Sequence, residues 1–207
     1  MGRTTRPIIL LIILIGSLAG CKKDEPISYD EAIRQCKTGS GKFFNGKDTV
    51  LIYQTSPKCV INAQFPMFLS SFIDGRPVNE EYFTDKINVV NFWFIGCHPC
   101  EAEMPGFNAL VEKYKGRPVN FIAISRNQPD DIQIFLKDHP FNVDHVGFGE
   151  LITRDIYHMA WGYPFTIVAD NSGRILFADH TGGSDSMAVQ RVQDELIPVI
   201  DSALEKM

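Results

Sequence analysis

The sequence has no run of lysine and arginine, and no stretch in which arginine alternates with aromatic residues. Its 20 basic side chains are outnumbered by 25 acidic ones, for a formal net charge of −5. A nucleic-acid binder needs a clustered basic face, so that class is set aside. Internal repeats and low-complexity tracts are also missing, which removes repeat architectures and disordered arrays. Charged residues make up 22% and hydrophobic residues 44%, ordinary globular usage, so collagen-like and polytopic membrane classes fit poorly. The length, 207 residues, suits one compact domain with accessories. Cysteine is scarce, with five in all, and each of them is informative.

The first twenty residues differ in kind from the rest. Arg3 and Arg6 form a short basic start, Pro7 to Ile15 is unbroken apolar sequence, and small residues follow up to Gly20 and Cys21. The apolar run is too short to cross ~30 Å of hydrocarbon as a helix, so it reads as the core of a signal peptide. A buried core helix would show a polar face, and this segment has none. Leu18-Ala19-Gly20-Cys21 resembles the bacterial lipobox, which implies cleavage before Cys21 and lipid modification of that residue. The expected organisation is residues 1–20 as a lipoprotein signal peptide, 21–64 as tether and N-terminal extension, and 65–207 as the main domain. The chain would then face the periplasm or outer surface of a bacterial envelope, anchored to the bilayer through Cys21, where disulfides persist. The four remaining cysteines, Cys36, Cys59, Cys97 and Cys100, suffice for two pairs.

Ser28 followed by Glu31 is a capping-box pattern and predicts a short helix over 29–37. Residues 37–47 are glycine-rich and read as loop. Residues 49–55 have strand composition, Ser56-Pro57-Lys58 is expected to turn the chain, and Cys59-Val60 begins a further extended segment. Residues 68–78 read as a hairpin turning at Asp74-Gly75. From 87 onward strands and helices alternate. The run 87–95 is a central strand buried on both faces, 99–115 a helix, 119–124 a strand, 129–136 a helix, 142–146 a short strand and 151–158 a short helix. A hairpin over 165–179 turns at Asp170 to Gly173. A final helix over 184–205 carries Val189, Val192, Leu196, Val199 and Ala203 as its apolar stripe. The sum is an α/β sandwich.

Cys97-His98-Pro99-Cys100 sits where the central strand gives way to a helix. Cysteines at i and i+3 in a first helical turn have Cβ atoms ~5 Å apart, within small adjustments of disulfide geometry. Free backbone N–H groups and the helix dipole favour a thiolate at Cys97, making it the attacking nucleophile. Pro99 is tolerated in the first turn, and Cys100, one turn deeper, is the resolving thiol. Haem attachment needs histidine at 101, which is Glu101, and structural zinc needs a second ligand pair. A static disulfide is left open by spacing alone. His98, if charged, would further favour the Cys97 thiolate; an exposed loop residue is the alternative. His139, His145, His158 and His180 show no metal-ligand spacing, and no metal or other cofactor is called for.

The segment Asn91-Phe92-Trp93-Phe94-Ile95-Gly96-Cys97-His98-Pro99-Cys100-Glu101-Ala102-Glu103-Met104-Pro105 resembles the active-site segment of TlpA/ResA-like proteins, extracytoplasmic members of the thioredoxin superfamily. Gly162-Tyr163-Pro164-Phe165-Thr166 resembles their cis-proline loop. The resemblance implies a thioredoxin-like fold: a central mixed β-sheet flanked by helices, with an N-terminal helix/β extension. It implies that Cys97 and Cys100 are the redox pair. Pro164 would be cis beside Cys97, with the Tyr163 backbone, His98 and Pro99 contacting substrate. Glu103 matches the family's acidic residue, which could exchange a proton with Cys100 if burial raises its pKa; a solvated helix residue is the alternative. Gly96 departs from the usual tryptophan and removes an aromatic shield from the rim. Cys36 and Cys59 lie outside the family core and are expected to form a structural disulfide, the alternative being two free buried thiols.

The expected activity is protein-disulfide oxidoreduction, more often reduction than oxidation on the strength of the resemblance. The implied partners are disulfide-containing envelope proteins such as apocytochrome c and a membrane-embedded thiol-electron donor. The rival reading is an envelope metallochaperone carrying Cu(I) on the same dithiol, with His180 as a further ligand.

Overall fold

The computed structural model of the chain describes residues 25–44, 49–159, 161–183 and 186–207. The segment expected to be a signal peptide and Cys21, the expected lipidation site, lie outside the described residues. Helix α1 (Tyr29–Gln35) begins at Ser28, whose Oγ accepts the Glu31 N–H at 3.2 Å, as the capping pattern requires. Two antiparallel strands follow, β1 (Thr38–Phe44) and β2 (Thr49–Thr55), paired from Thr38 opposite Thr55 to Phe44 opposite Thr49. Residues 38–44 were expected as loop; pairing with β2 satisfies their backbone groups in spite of the glycines. The turn expected at Ser56 to Lys58 is a 3-10 turn over Pro57–Val60, so it also takes in Cys59 and Val60, which were expected to be extended; Pro57 is preset for a helical first position. Cys36 and Cys59 are disulfide-bonded, Cα to Cα 5.4 Å, which fastens α1 to this turn.

A small hairpin, β3 (Ser70–Ser71) with β4 (Pro77–Val78), closes at Gly75 with φ +87°. A short helix, α2 (Glu80–Phe83), was not foreseen; the Asn79 side chain accepts the Tyr82 N–H at 3.1 Å and starts it. The remaining elements are β5 (Ile87–Trp93), α3 (His98–Lys113), β6 (Val119–Ser125), α4 (Pro129–Phe135), β7 (Asp144–Val146), β8 (Phe165–Ala169), β9 (Ile175–Asp179) and α5 (Ala188–Leu204). Residues Ile152–Ile156 make a π-helical turn in place of the expected ordinary helix.

The five-stranded sheet runs β7-β6-β5-β8-β9, with β7, β6 and β5 mutually parallel, β8 antiparallel to β5, and β9 antiparallel to β8. Every residue of β5 is buried. Alternation along the strands divides the core in two. Val90, Phe92, Ile122, Ile124 and Phe165 face the N-terminal segments, where Phe65, Phe68, Phe83 and Tyr157 pack. Val89, Trp93, Ala123 and Val168 face α3 and α5, against Met104, Phe107, Leu110, Val192 and Leu196. The stripe of α5 is rotated slightly from expectation: Ala188 and Ile200 are fully buried, while Val189 and Val199 are only partly so. The architecture is thioredoxin-like, a mixed sheet between helical and N-terminal layers.

Candidate active site

Strand β5 ends at Trp93 and the chain turns through Phe94, Ile95 and Gly96 into α3. Three hydrogen bonds hold this turn. The Ile95 N–H donates to Asn127 Oδ1 at 2.9 Å, the Gly96 N–H to Glu101 Oε1 at 3.1 Å, and the Cys97 N–H to the Phe94 carbonyl at 3.2 Å. Gly96 has φ +88°, a conformation that a tryptophan there would hold only under strain. Cys97 is the N-cap of α3, its carbonyl accepting the Glu101 N–H at 3.0 Å. Cys97 thus stands at the N-terminus of the helix, the position that favours a thiolate once the bond opens. Cys97 and Cys100 are disulfide-bonded with Cα atoms 5.2 Å apart, 5% and 1% exposed. His98 is exposed and Pro99 half-buried.

The Tyr163–Pro164 peptide is cis. A Cβ on Gly182 would collide with the Pro164 ring and come within 3.0 Å of the Pro99 carbonyl oxygen. Residue 182 is thus wedged between the proline loop and the Cys–His–Pro–Cys turn, and no side chain fits there. His180 Nδ1 meets the Pro164 carbonyl at 2.6 Å.

Glu103, one helical turn beyond Cys100, is completely buried. Asn91 Nδ2 donates to its Oε1 at 2.7 Å and Thr181 Oγ1 to its Oε2 at 2.9 Å. Asn91 also donates to Thr166 Oγ1 at 3.2 Å, and the two threonine hydroxyls are 3.0 Å apart. Loss of solvent pushes the Glu103 pKa up to about 8; the Thr181 and Asn91 hydrogen bonds pull it back and the charge of Glu195 adds to the rise. Hydroxyls can donate in either direction, so rotation of Thr181 lets it donate to the carboxylate or accept from the carboxylic acid. The carboxyl group can therefore change protonation state within a fixed frame.

The other histidines stand apart from the dithiol. His139 stacks on Phe135 with ring centroids 4.1 Å apart, His158 lies 3.1 Å from Asp30, and burial lowers the pKa of His145. Among the described residues no group of three or more His, Cys, Asp or Glu is placed to hold a metal. Asn91, Thr166, Thr181 and Gly182 were not singled out as site residues. Asn91 and Thr166 did carry a signal, since each is a polar residue inside a strand buried on both faces and must find a partner there. Thr181 and Gly182 carried none, because their place follows from the path of the chain after β9.

A buried dithiol at the start of a helix, flanked by a cis-proline loop on a β-sheet of this order, defines the thioredoxin-type redox site. The chain belongs to the AhpC/TSA family, whose pattern matches residues 61–191, within the thioredoxin superfamily. It is 30% identical to the thiol-disulfide oxidoreductase ResA of Bacillus cereus over 128 residues, 60% of this chain and 72% of that protein. The ResA of Bacillus thuringiensis subsp. konkukian is 31% identical over 123 residues, 58% of this chain and 69% of the relative. Among solved structures, a thiol:disulfide interchange protein DsbE candidate from Chlorobium tepidum superposes with a TM-score of 0.58 at 21% identity, covering 70% of this chain and 99% of that one. The thioredoxin domain of a Bacteroides vulgatus thiol-disulfide oxidoreductase gives 0.57 at 19% identity, covering 68% and 97%. These structures show the shared fold; the ResA relatives make the chain a thiol-disulfide oxidoreductase.

Proposed function

We propose that the protein is a lipid-anchored reductant of protein disulfides in the bacterial envelope, working through Cys97 and Cys100. The observation that carries this reading is Cys97 at the N-cap of α3 with a buried carboxyl group one turn beyond its partner. In the reduced state the Cys97 thiolate attacks a sulfur of a client disulfide, forming a mixed disulfide and expelling one client thiolate. Cys100 then loses its proton and attacks Cys97 Sγ. The second client thiolate leaves, and two electrons have passed from the dithiol to the client. Glu103, with a pKa near the working pH, takes the Cys100 proton. Tyr163, Pro164, His98 and Pro99 form the edge against which the client backbone lies.

Anchoring rests on the lipobox-like Leu18–Cys21 sequence, and among the described residues no helix is long and apolar enough to cross a membrane. The proposed envelope location supports oxidised apocytochrome c and other disulfide-bonded envelope proteins as clients, and a membrane-embedded thiol carrier as electron donor. The test is trapping. A Cys100→Ser protein, reduced and offered a disulfide-bonded client, should accumulate a mixed disulfide at Cys97, and Cys97→Ser should not. Equal trapping by both variants would overturn the assignment of the nucleophile. One Cu(I) bound per reduced dithiol, with no disulfide reduced, would favour the metal-carrier alternative.

A further inference from the structure

Strands β5 and β6 pair up to Trp93 opposite Ser125, so the next residue of each, Phe94 and Arg126, emerges side by side at the carboxyl edge of the sheet. The Arg126 guanidinium lies over the Phe94 ring, with Cζ 3.9 Å from the centroid, and 5.8 Å from the centroid of Tyr163. The two rings meet edge to face at 5.2 Å. Phe94 also accepts the Cys97 N–H through its carbonyl, and Tyr163 is the residue before the cis proline. The cation is therefore held between the two chain segments that flank the dithiol.

Arg126 is exposed, and none of the ion pairs among the described residues includes it. Glu101, the acid of the motif turn, is engaged with the Gly96 N–H. A guanidinium held over an aromatic ring by cation–π attraction still has N–H donors to offer a planar acceptor. Stacking also restricts the side chain in advance, so less freedom is lost when a ligand binds.

We propose that Arg126, set on Phe94 and Tyr163, is a specificity-determining residue that receives the carboxylate of an aspartate or glutamate beside a client's disulfide cysteine. The inference rests on the reading of Cys97 as the attacking thiol, because that reading brings the client chain to this rim. The rest of the molecule is net acidic, so Arg126 acts as a local exception that rewards correct placement of a client acid at short range.

The probes are three synthetic peptides, each with one intramolecular disulfide, differing only in a Glu, Gln or Lys next to one cysteine. Their reduction rates are measured with reduced wild type, Arg126→Gln, Arg126→Glu and Arg126→Lys at low and high salt. Wild type should reduce the Glu peptide about two- to fivefold faster than the Lys peptide, the range open to an exposed ion pair. The preference should shrink in about 1 M salt. It should disappear in Arg126→Gln, reverse in Arg126→Glu and survive in weakened form in Arg126→Lys. A purely structural role would change all three peptide rates together and leave their ratios alone. Equal reduction of all three by wild type, or the same ratio in every variant, overturns the assignment of Arg126 while leaving the oxidoreductase reading standing. Failure of wild type to reduce any of the peptides overturns both.

Discussion

The Cys36–Cys59 bond joins positions 23 residues apart, whereas Cys97–Cys100 closes across three. Loop closure in the unfolded chain is worth more for the longer span, about 3.5 against 2 kcal/mol by the chain-entropy relation. The surroundings differ more than the loops do. Cys36 ends a short helix and Cys59 sits in a 3-10 turn, both half-buried. Cys97 instead caps a long helix whose free N–H groups favour a thiolate, and Cys100 is followed one turn later by the buried Glu103. On the proposed reading the same covalent bond serves as a staple in one place and a reagent in the other, and the helix terminus and the neighbouring carboxyl group make the difference.

The largest effect that would break this contrast comes from the dithiol. Replacing Cys97 by Ser should abolish disulfide reduction while thermal melting still shows a folded domain. Residual turnover close to wild type would mean that Cys36 or Cys59 serves as a second reagent. Next is Glu103→Gln, expected to slow turnover at neutral pH by about 10²-fold or more and to remove a pH dependence of stability. The folded pKa of Glu103, about 8, lies above its unfolded value. The native state therefore holds a proton that the unfolded chain has given up, and stability falls as pH rises from about 4.5 through about 8, by several kcal/mol in the limit. Urea denaturation of the oxidised protein between pH 5 and 9 should show this decline in wild type and a flatter profile in Glu103→Gln.

Removing the staple should show the opposite pattern. Cys36→Ser with Cys59→Ser should lower stability by about 2–5 kcal/mol, read from denaturant midpoints, with turnover per folded molecule retained. Smaller again is Gly96→Ala. The space around its Cβ is open, so the cost is the positive φ alone, about 1–2 kcal/mol, with activity reduced only as far as the turn shifts.

The helix-start dithiol and its strand were legible because both follow from local signals, a buried apolar run over 87–95 and a cysteine pair at helical spacing. The hairpin at Asp74-Gly75 and the strand 165–169 were legible for the same reason. What escaped depends on contacts distant in sequence. Residues 38–44 become a strand only because β2 pairs with them. The Glu103 cradle takes Asn91 from β5, Thr166 from β8 and Thr181 from beyond β9, brought together by the sheet order β5-β8-β9. The lost tryptophan at Gly96 suggested a bare rim; the structure places Phe94, Tyr163 and Arg126 there instead, an arrangement visible only once β5 and β6 are in register.

The most direct measurement is stepwise reduction of the oxidised protein along a dithiothreitol series, with each cysteine pair mapped by alkylation and mass spectrometry. The expected result is that Cys97–Cys100 opens first, while Cys36–Cys59 stays closed and the domain stays folded. Opening of Cys36–Cys59 before Cys97–Cys100, or unfolding in step with the first bond, would contradict the division between reagent and staple.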